Sequence, residues 1–300
     1  LAGAALTYSQ QRGETRSPDD HMVPTIRADE PAPDNKAKPM SPTPRRRSAS
    51  SRTRTSASGT ASAEEIARFA ALAETWWDTD GPFRPLHRLN PVRVRYIRDH
   101  IAAHFGRDPL AERPLDGLDI LDIGCGGGLL AEPLARLGAR VTGIDAAEDG
   151  IRVAALHAQQ MGLDIDYRSA TPESLADEGR RFHAVTNMEV VEHVTDLDAF
   201  LAAAATLMAP GGAMAVSTIN RTLRSLALAK IGAEYVLRWV PAGTHDWRKF
   251  VKPSELAAGL RPTGPKIIDL SGMIYDPLRD QWFIGRDVAI NYMAFAVKRG

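Results

Sequence analysis

The sequence predicts a doubly wound α/β domain on two observations. From Asp119 onward short apolar runs alternate with amphipathic helix patterns, and the first of those runs stops abruptly in glycines before a helix begins. That stop reads Ile120-Leu-Asp-Ile-Gly-Cys-Gly-Gly-Gly128. Glycine at such a turn accepts positive φ and lets the backbone approach a ligand closely, while the helix N-terminus behind it offers unpaired N–H groups. Strand, tight turn and helix start in this order predict a small-molecule site at the turn.

Taken in order, residues 1–61 are rich in Ser, Thr, Pro, Ala and Arg without a hydrophobic period, and read as a disordered tail. Its Arg45, Arg46, Arg47, Arg52 and Arg54 suit anionic lipid, RNA or an organelle transit peptide, although upstream Glu14, Asp19, Asp20, Asp29 and Glu30 argue against the last. Residues 62–300 form the folded domain. It starts with a helical lid over 62–106: a capping box at Ser62-Ala-Glu-Glu65, then Ile66, Phe69 and Leu72 at helical spacing, Trp76, Trp77, Phe83, the segment Pro85-Leu-His-Arg-Leu-Asn-Pro91, and a second helix over 92–105. Strands follow near 119–123, 140–144, 164–168, 182–187 and 212–218, with helices near 128–137, 148–161, 172–177 and 196–207. The last third departs from alternation, with a helical segment at 222–239 inside an inserted amphipathic stretch, 220–250, and strands at 265–271 and 289–297.

At 300 residues, 44% hydrophobic and 25% charged, the chain has ample material for a packed core. Lys and Arg number 37 and Asp and Glu 37, which leaves no global electrostatic case for nucleic acid. The single cysteine, Cys125, excludes an internal disulfide and fits a reducing compartment, and no apolar run approaches the roughly 20 residues that cross a bilayer.

The glycine spacing narrows the ligand. A dinucleotide fingerprint needs a third glycine where Leu129 stands. Asp122-x-Gly124-x-Gly126-x-Gly128 instead resembles the first motif of the class I S-adenosylmethionine (SAM) dependent methyltransferases. Asp145 closes the next strand, where a carboxylate can accept both hydroxyls of a ribose. After the fourth strand comes Asn187-Met-Glu-Val-Val-Glu-His-Val194, at the carboxyl end where ligands of open α/β sheets sit. Glu189, Glu192 and His193 have i, i+3, i+4 spacing, which on one helical turn presents two carboxylates and an imidazole together. Two readings stay open: a Mg²⁺, Mn²⁺ or Zn²⁺ site, or a metal-free pair that orients the loop and supplies a base. Met188 is polarisable enough to pack on an adenine or a methyl-sulfonium, and equally serves as core filler.

From about Ala63 to Val297 the chain resembles the ubiquinone-biosynthesis O-methyltransferases, the 2-polyprenyl-6-hydroxyphenol methylase and 3-demethylubiquinol 3-O-methyltransferase family. The resemblance rests on Trp76-Trp77-Asp78, Pro85 to Pro91, Leu121 to Gly128, Met188-Glu-Val-Val-Glu-His193, Gly232-Ala-Glu-Tyr235, Gly243-Thr-His-Asp246 and Asn291-Tyr-Met293. It implies a doubly wound, seven-stranded, Rossmann-like class I methyltransferase sheet with a helical N-terminal lid. It also implies Arg93, Gly124, Asp145 and Met188 as SAM contacts, and Glu189, Glu192 and His193 as ligands of a divalent metal, Mg²⁺ foremost. The substrate implied is a polyprenylated catechol or hydroquinone, whose phenol, with a pKa of about 10, needs activation. A metal lowers that pKa and orients the oxygen; without one, His193 is the general base. The segment Arg221 to Trp239 mixes Leu223, Leu226, Ile231, Leu237 and Trp239 with Arg221, Arg224, Lys230 and Arg238, and reads either as a membrane-surface helix or as a lid packed on its own site. The expected setting is cytoplasmic, peripheral on the inner membrane beside other enzymes of ubiquinone synthesis, with the mitochondrial matrix as the alternative.

Overall fold

Strands whose residues are buried on both faces need helices on both sides, and the chain supplies them. In the computed structural model, which describes residues 71–227 and 247–300, β1 (Asp119–Ile123), β2 (Arg140–Asp145), β3 (Asp166–Ser169), β4 (Phe182–Met188) and β5 (Met208–Ile219) are parallel neighbours, while β6 (Lys266–Asp276), β7 (Gln281–Gly285) and β8 (Asn291–Val297) join antiparallel. The described residues belong to the unit Ser58–Gly300; the tail, the capping-box start of the lid and most of the amphipathic stretch lie outside them. Strand order is β3-β2-β1-β4-β5-β8-β6-β7. It reverses between β1 and β4, and such a switch point opens a crevice at the carboxyl ends.

Alternate residues sort the core. Ile120, Ala184 and Ala215 face Ile97, Ile101 and Leu134, whereas Leu121, Val185 and Val216 face Leu175, Leu201 and Leu256. The first set packs under α1 (Arg84–His104) and α2 (Ala131–Arg136). The second packs under α4 (Pro172–Asp177), α5 (Leu197–Leu207) and α6 (Pro253–Leu260), while α3 (Glu148–Gln160) lies against β2 and β3. Side-chain caps set two helix starts: Thr171 accepts from Ser174 N and Asp196 from Ala199 N.

Four expectations change. The sheet has eight strands, not seven, because β6 runs on to Asp276 and a tight turn, with Asp280 at φ 51, folds β7 back along it. Helix α1 begins at Arg84 rather than at 92: Pro85 occupies the first turn, where its missing N–H is not needed, and Pro91 sits inside the helix. That proline forfeits one bond to the His87 carbonyl, and the buried stripe of Leu89, Val92, Tyr96, Ile97 and Ile101 carries the helix past it. Helix α2 starts at Ala131 rather than 128, since Gly126 and Gly128 hold the chain in left-handed turns at φ 50 and 90. Helix α6 was not expected; Pro253 in its first turn and Glu255, which accepts from Lys252 N at 3.0 Å, form its start.

Candidate active site

The switch-point crevice holds a cavity of about 780 Å³ lined by Gly124, Asp145, Met188, Glu189, His193 and Thr171, among others. Of the residues the sequence singles out, Gly124, Asp145, Met188, Glu189 and His193 line this cavity, while Arg93 and Glu192 stand behind its wall. The turn itself is held by β2: Gly124 N and Cys125 N both donate to the Ile144 carbonyl, at 2.8 and 3.0 Å. Asp145 braces it further, its Oδ2 accepting from Gly126 N at 3.0 Å and its Oδ1 from Ala147 N at 2.8 Å. A Cβ on Gly124 would come within 2.4 Å of Val190 Cγ2, so glycine is required there for packing as well as for its φ of 71.

The lid closes on the other side of the turn. Trp77 Nε1 donates to Gly127 O at 3.1 Å and Asn90 Nδ2 to Leu129 O at 2.6 Å, while Trp76 lies so near Gly127 that an added Cβ would meet its indole at 2.4 Å. Trp77 also stacks on His157, 3.8 Å between centroids, and His157 Nδ1 meets the buried Glu132 at 2.5 Å. Gly126 and Gly127 therefore make room for Trp76, and Gly128 for Tyr167. Asn90 was missed as a site residue because nothing local marks it; only the fold brings it to the turn.

Residues 189–193 do not form the expected helical turn. Glu189 N still bonds to Ser217 O as an extension of the sheet, then Glu189 takes φ 58 and a tight turn follows, closed by His193 N to Val190 O. The kink brings Glu189 and Glu192 together from opposite faces of the sheet. Glu189 Oε1 accepts from Arg93 Nη2 at 2.7 Å and Ser217 Oγ at 2.6 Å, and Glu192 Oε2 accepts from Thr218 Oγ1 at 2.8 Å. Ser217 and Thr218 were not foreseen either, although a Ser-Thr pair at the carboxyl end of a strand beside the switch point is a readable signal.

Electrostatics divide the two carboxyls. Burial works to raise both, but Arg93, the Ser217 hydroxyl and the Glu192 carboxyl together hold Glu189 below its ordinary value. Burial and the adjacent Glu189 charge push Glu192 well above its own. The pair is thus divided: Glu189 is held toward its charged form by Arg93, and Glu192 is pushed toward its neutral form by burial and the Glu189 charge. Deeper in, burial foremost pushes Asp122 up to about 7, against the Thr186 hydroxyl, which donates to its Oδ1 at 2.8 Å.

As a metal site the donor chemistry fits in part. Two hard carboxylates adjoin, and Glu192 Oε1 is buried with no hydrogen-bond donor among the described residues. His193 does not complete the set: among the described residues no group of three or more His, Cys, Asp or Glu is placed to hold a metal. Arg93, expected at SAM, is buried and turned to Glu189.

Comparison with known proteins agrees with this geometry. The methyltransferase domain family matches residues 94–269. A magnesium protoporphyrin IX methyltransferase of Synechocystis PCC 6803, solved with bound SAH, aligns with a TM-score of 0.52 at 22% identity, over 77% of this chain and 94% of that one. A SAM-dependent methyltransferase of Clostridium acetobutylicum ATCC 824 aligns with a TM-score of 0.50 at 13% identity, over 78% and 99%. Fold, glycine turn and switch-point cavity thus define a class I SAM-dependent methyltransferase. Sequence relatives sharpen that class. The chain is 57% identical over 239 residues, 80% of its length and 94% of the relative's, to the ubiquinone biosynthesis O-methyltransferase of Chelativorans sp. (strain BNC1). It is 56% identical over 240 residues, 80% and 96%, to that of Paramagnetospirillum magneticum. The chain belongs to the ubiquinone biosynthesis O-methyltransferase family.

Proposed function

We propose that the chain methylates phenolic hydroxyls of polyprenylated catechol or hydroquinone intermediates in ubiquinone synthesis, with SAM as donor. One observation carries the reading: relatives matched over nearly their whole length bear this activity in their names, and the cavity here joins a methyltransferase glycine turn to Glu189 of the carboxylate pair. When bound, SAM supplies the sulfonium methyl that a phenolic oxygen attacks. Gly124, Asp145 and Met188 line the cavity and are the donor's contacts, with Asp145 at the ribose. Arg93, paired with Glu189 here, would supply the cation for the carboxylate of the methionine part.

Glu189 and Glu192 would be the carboxylates to hold a divalent ion, Mg²⁺ by the hardness of their oxygens, with His193 the nearest further candidate ligand in sequence. Bound there, the ion supplies Lewis-acid activation of the phenol. Exposure of His193 at the rim, beside the buried pair, favours a second reading in which its imidazole accepts the phenolic proton without a metal. An isoprenoid substrate calls for a membrane surface; among the described residues no helix is long and apolar enough to cross one, and peripheral attachment at the inner membrane beside other enzymes of the pathway suits that need.

The test is transfer of labelled methyl from SAM to a short-chain prenylated catechol, before and after chelation and with Mg²⁺ restored. Loss on chelation with recovery on Mg²⁺, together with loss in Glu192→Gln, supports the metal. Chelator-resistant transfer that Glu192→Gln retains assigns His193 as base. SAM binding without transfer refutes the substrate assignment. Liposome co-sedimentation checks the membrane setting.

A further inference from the structure

Among the described residues, no further strand pairs with the outer edge of the sheet: β7 is the last strand and pairs with β6 alone. Its five residues, Gln281-Trp-Phe-Ile-Gly285, carry no charge and no proline. Natural edge strands are normally blunted by lysine, proline, bulges or a covering element, because an exposed apolar edge templates pairing with another chain. Here Phe283 is 47% exposed, Ile284 37%, and Leu278 at the hairpin tip 95%.

The residues that bracket the strand specify a partner. Asp280 precedes it and Arg286 follows it. If β7 meets a second β7 antiparallel, with the two-fold axis at Phe283, then Asp280 stands opposite the partner's Arg286, Gln281 opposite Gly285, and Trp282 opposite Ile284. Opposite charges fall at both ends and apolar residues fall between them. A two-fold contact uses the same patch on both copies, so the patch must be complementary to itself, as this one is. Asp280 already holds Arg84 and Arg88 yet keeps 45% of its side chain exposed, and Arg286 has no ion pair or hydrogen bond among the described residues.

We propose that β7 is a homodimerisation edge, on which a second copy of this chain adds its own β7 antiparallel and in the register centred on Phe283. Directly opposed residues of an antiparallel pair share a face, so each Phe283 side chain lies beside its copy. The eight strands of each subunit continue into those of the other, running oppositely, so that the two cavities open at opposite ends of the joined sheet. A five-residue ladder with a few apolar side chains falls below the roughly 1,200 Å² typical of stable complexes, and the dimer is accordingly weak and concentration-dependent.

Sedimentation analysis of the full chain from low to high micromolar concentration tests this, with Phe283→Lys and Phe283→Glu each alone and then mixed. Phe283 is half exposed, so both variants are expected to fold, which circular dichroism verifies. At a two-fold axis a new charge faces its own copy, and each variant alone should self-associate at least tenfold more weakly than the parent chain. The mixture should recover dimer mass, since lysine then faces glutamate. A parent chain that stays monomeric throughout, a single variant that dimerises like the parent, or a mixture that stays monomeric would overturn the proposal; binding of a foreign strand by a monomeric parent is among these refuting results.

Discussion

Glu189 and Glu192 look alike in sequence and are opposites in the fold, which matched substitutions expose. Glu192→Gln keeps the acceptor for Thr218 and replaces a carboxyl that burial and the Glu189 charge already push toward its neutral form, so it should change stability by less than about 0.5 kcal/mol. Glu189→Gln removes the carboxylate paired with an Arg93 side chain only 8% exposed. Breaking a buried ion pair from one side costs about 3–5 kcal/mol; since the amide oxygen still accepts from Arg93 and Ser217, about 3 is expected. At roughly 2–4 °C per kcal/mol for a domain of this size, the melting temperature falls by about 6–12 °C. Glu189→Gln also removes the adjacent charge that raises Glu192, so Glu192 ionises more readily and partly replaces the lost partner. The double variant should therefore be less stable than the two single effects added. Thermal unfolding of the four proteins, in chelator so that no metal intervenes, completes the cycle. Equal losses in the two single variants, or an unchanged melting temperature in Glu189→Gln, would refute the division of charge.

Asp122 makes stability pH-dependent: its native pKa of about 7 lies above the ordinary value of 3.8, so the stability due to its protonated form is complete below about pH 4 and lost as pH rises to about 7. The three-unit gap sets a ceiling of about 4 kcal/mol, and urea titrations from pH 5 to 8 should show a flatter profile in Asp122→Asn. Gly127→Ala drives a methyl into Trp76 at 2.4 Å, which should cost about 1–3 kcal/mol, alter tryptophan fluorescence and weaken SAM binding by calorimetry, whereas Gly162→Ala, with open space but φ 67, should cost stability alone. Trp77→Phe keeps the stack on His157 but loses the bond to Gly127 O, and chemical unfolding should register about 0.5–1.5 kcal/mol.

The parallel half of the sheet was legible because its signals are local. β1 matches the expected 119–123 residue for residue, and β2 and β4 each extend one residue further. What escaped depended on distant partners. Trp282-Phe-Ile284 is too short to declare a strand until β6 lies beside it, and Pro91 reads as a break until burial under α1 outweighs one lost hydrogen bond. Within the site, glycine spacing and the Met-Glu-x-x-Glu-His run placed Gly124, Asp145, Met188, Glu189 and His193 on one cavity. No spacing rule could show that Glu189 would turn left-handed, since that conformation is fixed by Ser217 and by Arg93, nearly a hundred residues upstream.

Helix α1 is tied to the fold along its length: Arg84 and Arg88 reach Asp280 on the hairpin tip, Asn90 reaches Leu129 beside the glycine turn, and Arg93 reaches Glu189 at the cavity. A rod fixed at one end swings, but a rod fixed at two cannot rotate without releasing one of them. The hairpin that adds β7 thus supplies one of the anchors that hold α1 beside the glycine turn, while the cavity rim at Thr171, Glu173 and Asp196 is exposed. A change made at the far edge of the sheet, by severing Asp280, would be felt as looseness at the turn where the methyl donor binds.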